Sequence, residues 1–84
     1  MYSIEYSGEA AKVLERMPRN VAELIVAKVE QVAAAPYGAA NVKKLAGSPG
    51  YRLRVGQWRV IYLLNDGLLL VSVVKIGSRG EVSK

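Results

Sequence analysis

Eighty-four residues, 51% apolar and 23% charged, describe one globular domain spanning 1–84 rather than a disordered chain. With no cysteine, disulfides and thiolate chemistry are excluded; with no histidine, the commonest metal ligand and neutral-pH acid–base group is gone, so no metal or cofactor is expected. The net charge of +5 is unevenly placed: four basic residues against five acidic ones give −1 over 1–40, and eight against two give +6 over 41–84, a field suited to a polyanion or an acidic partner.

Residues 1–6 alternate, with Tyr2, Ile4 and Tyr6 on one side and Ser3 and Glu5 on the other, which predicts a half-buried strand. Ser7 is an N-cap for a short helix in which Ala10, Val13, Leu14 and Met17 recur at helical spacing. Pro18 ends it, and a second helix over 19–35 carries Val21, Leu24, Ile25, Val29 and Val32 as its apolar stripe. Pro36 stops that helix, and the turn-rich stretch 36–50 reads as a loop.

Three strands follow, over 51–55, 58–64 and 68–76. Gly56-Gln57 forms a two-residue hairpin loop, and Asn65-Asp66-Gly67 joins the next two strands, with the register taken for Asp66-Gly67 as the two-residue loop. The order β-α-α-β-β-β predicts an α+β fold, with a helical hairpin packed on one face of a mainly antiparallel four-stranded sheet. No apolar run approaches the ~18–20 residues of a membrane span, and no leader is evident, so a cytoplasmic protein with no membrane association is expected.

The first hairpin sets the functional question. With Gly56 and Gln57 as the loop, Arg54 faces Arg59 and Arg52 faces Ile61, so three arginines share the face opposite Leu53, Val55, Trp58, Val60 and Tyr62. Trp58, Tyr51 and Tyr62 are expected in the core. Like charges set opposite each other across an antiparallel pair are destabilising. Either the arginine stems cover sheet while the heads stay in water, or the cluster serves a ligand. Arg79 is expected to reach the same side, and Ile61, Leu63, Leu70, Val74 and Ile76 are expected to make that face too apolar to stay wet. Phosphate fits the guanidinium fork. A partner chain bringing acidic and apolar side chains fits the mixed surface.

The runs Tyr51-Arg52-Leu53-Arg54-Val55-Gly56 and Trp58-Arg59-Val60-Ile61-Tyr62, with Lys75-Ile76-Gly77-Ser78-Arg79-Gly80-Glu81-Val82 near the C-terminus, resemble the hairpin and C-terminal signatures of the RelE/ParE superfamily of toxins from type II toxin–antitoxin modules. The resemblance implies, for its RelE-like branch, a ribosome-dependent mRNA endonuclease that cuts by 2′-OH attack in the decoding site. Its catalytic positions fall on Arg59 and Arg79, with Arg52 and Arg54 where some members carry lysines. RNA contacts are expected from Lys43, Lys44, Arg52, Arg54 and Lys75. The partners implied are the ribosome with its mRNA and a RelB-like antitoxin, which forms a hetero-oligomer with the toxin and brings it to promoter DNA. That antitoxin is expected to cover Arg52, Arg54, Arg59, Ile61, Leu63, Leu70, Val74, Ile76 and Arg79. Ser83 stands where the family signature ends in tyrosine, which points to an attenuated enzyme and leaves the general base unassigned. Two alternatives stay open: a ParE-like inhibitor of DNA gyrase, and an inactive relative that only pairs with an antitoxin.

Overall fold

The computed structural model describes residues 1–78. Its elements run β1 (Ser3–Tyr6), α1 (Gly8–Arg16), α2 (Arg19–Ala34), β2 (Val42–Lys44), β3 (Tyr51–Val55), β4 (Trp58–Asn65) and β5 (Leu70–Ser78). Ser7 caps α1 as its type predicts: the hydroxyl oxygen accepts from the Ala10 amide at 3.1 Å and donates to the Val74 carbonyl at 2.9 Å. Glu9 in the first turn and Arg16 in the last complement the helix dipole. Pro18 occupies the N-cap of α2 and makes no side-chain cap bond, while Ala35, just before Pro36, leaves helical geometry at φ −145°.

The sheet has five strands in the order β1-β5-β4-β3-β2, parallel between β1 and β5 and antiparallel elsewhere. Both helices pack on one face. The core joins Ala10, Met17, Ile25, Val29, Val32 and Ala33 to Leu53, Val55, Val60, Tyr62, Val71, Val73 and Ile76. Tyr62 is 1% exposed, and Trp58 and Tyr51 are half-buried against that core. Leu24, placed on the apolar stripe by its spacing, is instead 49% exposed, because the stripe through Ile25, Val29 and Val32 already fills the helix–sheet interface.

Three details differ from the sequence reading. The stretch 36–50 is not wholly a loop: Val42–Lys44 pairs with β3, making a fifth strand. Three residues carry too little alternation to signal a strand, and pairing with Tyr51–Leu53 supplies what propensity does not. The β4–β5 connection is four residues long, not two, since Asn65 pairs with Leu70. There the Asn65 side chain accepts from the Leu68 amide at 3.0 Å, and Leu69 turns at φ +51°. Finally, Ile61 pairs with Lys75 but Tyr62 pairs with Val73, so Val74 is the extra residue of a β-bulge. A bulge inverts the side-chain alternation beyond it. Ile76 therefore lies against Val60 in the core at 3% exposure, not among the arginines.

Candidate functional site

The face away from the helices carries Arg52, Arg54 and Arg59. The Gly56-Gln57 hairpin closes in the expected register, with Gly56 at φ +60°, as the first loop position of a type II′ turn requires. Arg54 then stands opposite Arg59, and Arg52 is flanked by Ile61 on one side and Lys43 on the other. Asn41, at φ +64°, accepts at its carbonyl from the Arg54 amide at 3.0 Å and so brings the start of β2 alongside.

The result is an open cavity of about 310 Å³ whose lining includes Lys43, Arg52, Arg54 and Arg59, with Asn41 and Val42 completing the wall. Among the described residues, four cations and no acid line it. No described carboxylate forms an ion pair with Lys43, Arg52 or Arg54; the described pair is Arg19 with Glu23, on α2. Arg59 is half-buried, and its Nη1 donates to the Trp58 carbonyl at 3.5 Å. Arg54 is exposed and Arg52 half-buried. A cluster of guanidinium forks in a concavity has the geometry and charge to take a phosphate group.

The other expected residues divide. Lys75, exposed and paired with Ile61, joins the cationic face because the bulge turns it there. Lys43 and Lys44 are strand residues, not loop residues. Consequently they point to opposite faces: Lys43 lines the arginine cavity, while Lys44 lies 5.3 Å from the ring centroid of Tyr51 on the far side. Leu63 is 40% exposed on the cationic face, with Ile61 and Leu70 half-buried there. Val74 sits at the bulge and Ile76 in the core, which removes Ile76 from any surface contact. Arg79, Glu81 and Ser83 lie outside the described residues. Asn41 and Val42 were not anticipated in the cavity; the cue was Asn41 itself, since asparagine tolerates the left-handed conformation better than most residues.

A model of the ParE toxin of type II toxin–antitoxin systems matches residues 4–82. Among solved structures, a chain of the intact E. coli RelBE toxin–antitoxin complex superposes with TM-score 0.82 at 25% identity, covering 96% of this chain and 100% of that one. The isolated E. coli RelE toxin gives 0.82 at 24% identity over 99% and 89%. The archaeal RelE–RelB complex of Pyrococcus horikoshii gives 0.82 at 24% over 96% and 98%. The search of curated protein sequences found no match.

Proposed function

The chain belongs to the ParE toxin family of type II toxin–antitoxin systems, and from that premise we propose that it is a RelE-like endoribonuclease toxin that cuts mRNA on the ribosome and is held inactive by a cognate antitoxin. The observation that carries the reading is the cavity in which Lys43, Arg52, Arg54 and Arg59 converge, with no acidic residue among its described lining. In the reaction the ribose 2′-oxygen bonds to phosphorus, the bond to the 5′-oxygen breaks, and the products are a cyclic phosphate and a 5′-hydroxyl. The charge that develops on the phosphorane is what preorganised guanidinium groups stabilise, and one such donor is worth ~10²–10³ in rate. Arginine does not give up its proton at working pH. The cavity therefore supplies charge stabilisation, and the proton acceptor comes from elsewhere, either the C-terminal residues or the ribosome.

The antitoxin reading rests on the same face. Ile61, Leu63 and Leu70 sit beside the cations, so a segment carrying both acidic and apolar side chains would shield the apolar surface and block the cavity together. The second reading is a ParE-like gyrase inhibitor, favoured by the family match itself. It needs no general base, which suits a cavity that offers none.

Primer-extension mapping on programmed ribosomes separates the two. Discrete cuts in the decoding site that disappear with Arg59→Ala are expected. No cuts from the wild-type chain, together with inhibition of gyrase supercoiling, would replace the first reading by the second.

A further inference from the structure

A second concavity, of about 370 Å³, lies at the end of the sheet around the corner from the arginines, and Tyr37, Tyr51, Lys44, Asp66, Pro49 and Leu63 are among its lining residues. Its most exposed aromatic ring is also a tethered one. Tyr37 is 68% exposed, yet its hydroxyl donates to Asp66 Oδ2 at 2.5 Å, while Tyr2 donates to Asp66 Oδ1 at 2.7 Å. Across the cavity, Tyr51 stacks on Tyr62 with centroids 5.5 Å apart and planes at 16°. An exposed ring already pinned at its far end loses little freedom when something stacks on it.

The charges narrow what that something is. Lys44 beside Tyr51 disfavours a cationic ligand, and the Asp66 carboxylate disfavours a bare anion. A neutral planar ring joined to a phosphate satisfies both walls. Lys43 and Lys44 are consecutive in β2, one lining each concavity, so a polyanion seated at the arginines can continue past that edge into the second cavity.

We propose that this tyrosine-lined concavity is a base-binding subsite for single-stranded RNA, with one base stacked on Tyr37 and its neighbouring phosphate on Lys44. The inference rests on the RNA reading of the arginine cavity. Each Asp66 oxygen accepts one tyrosine hydroxyl and keeps a lone pair, which can take an exocyclic amino group. Adenine and cytosine offer one. Uracil presents its single N–H between two carbonyls, which a carboxylate repels.

The test is fluorescence anisotropy of the full chain with 2′-O-methyl hexanucleotides of A, C or U, in which the attacking hydroxyl is blocked so that binding is read without cleavage. Tighter binding of the A and C oligomers than of U is expected. Tyr37→Ala should weaken binding of A and C about tenfold, and Tyr37→Phe and Tyr37→Trp, which keep a ring but lose the hydroxyl bond to Asp66, should fall between Tyr37→Ala and the wild type. Those two variants also separate loss of stacking from loss of fold. If Tyr37→Ala binds as the wild type does while Arg54→Ala does not, the subsite is wrong and the RNA reading stands. If the ring dependence holds but ribosomes are not cut, the subsite stands and the cleavage reading falls. A wild-type chain that binds none of the three oligomers overturns the subsite.

Discussion

Arg54 and Arg59 face each other across β3 and β4, and both border a cavity that holds two further cations. Favourable cross-strand pairs, opposite charges among them, contribute ~0.2–1 kcal/mol, and like charges directly opposite reverse the sign. The site is thus held at some cost to the fold, as a preorganised electrostatic site must be. Arg54→Gln, which keeps a polar chain of intermediate length, is expected to raise stability by a few tenths of a kcal/mol, up to ~1, a gain of several degrees at most in a domain this small. The same substitution should lower ribosome-dependent cleavage ~10²–10³-fold. Thermal melting and cleavage measured on one preparation check both; a variant that melts lower and cuts normally would show that Arg54 is structural. The pairing of these arginines was legible in the sequence because Gly56 fixes a two-residue turn and strands alternate with period two. Arg59's half-burial and its bond to the Trp58 carbonyl were not, since they depend on how the chain packs around the side chain.

At the scale of elements, the bulge at Val74 decides which side chains reach the site. Without it, alternation through β5 would bring Ile76 to the cationic face and send Lys75 into the core; with it, the reverse holds. Both helices and the first hairpin could be read from capping, proline and periodicity, because those signals are local. The bulge, the four-residue β4–β5 loop and the three-residue β2 are products of pairing between distant segments and leave no local mark. Ser7 ties one of these features to another: its hydroxyl caps α1 and also holds the Val74 carbonyl, and its amide donates to the Val73 carbonyl at 2.8 Å. Ser7→Ala therefore loses a cap worth ~0.5–2 kcal/mol and leaves the Val74 carbonyl without its hydroxyl donor. A fall in melting temperature of about 4–8 °C per kcal/mol is expected. Hydrogen exchange should also quicken at Ala10, whose amide loses its acceptor. Ser7→Asp restores the cap but not the donor to Val74, so it should recover Ala10 protection and only part of the stability. Full recovery by Ser7→Asp would show that the bulge does not need this bond.

The whole molecule is polarised: the acidic residues concentrate in the first half of the sequence, while of the described cations of the second half Lys43, Arg52, Arg54 and Arg59 line one cavity and Lys75 shares their face, with Asp66 as the described acid of that half. The sequence showed this imbalance but gave Asp66 no role beyond its turn. In the fold, Asp66 gathers three distant parts of the chain, since Tyr2 precedes β1, Tyr37 follows α2, and Asp66 itself opens the β4–β5 loop. The hydrogen bond from Tyr37, then that from Tyr2, holds the Asp66 carboxyl below its ordinary value. Reciprocally, the bond to Asp66 pushes Tyr37 up to about 12 and raises Tyr2. A carboxylate whose folded pKa is depressed adds stability above its unfolded value, and that contribution disappears as pH falls through the folded one. A phenol whose folded pKa is raised adds stability below its unfolded value near 10, and that disappears as pH climbs toward 12. The tether's contribution to stability is thus full between roughly pH 4 and pH 10 and is lost progressively beyond that window on either side. Asp66→Asn should flatten the acid limb of a melting-temperature profile and lower the alkaline titration of Tyr37 toward the ordinary tyrosine range, readable by ultraviolet absorbance. Tyr62, which burial raises to about 12, shares no bond with Asp66 and should titrate as before. Equal shifts in Tyr37 and Tyr62 would mean that Asp66 supports the fold as a whole, whereas a shift confined to Tyr37 and Tyr2 would assign it to the tether alone.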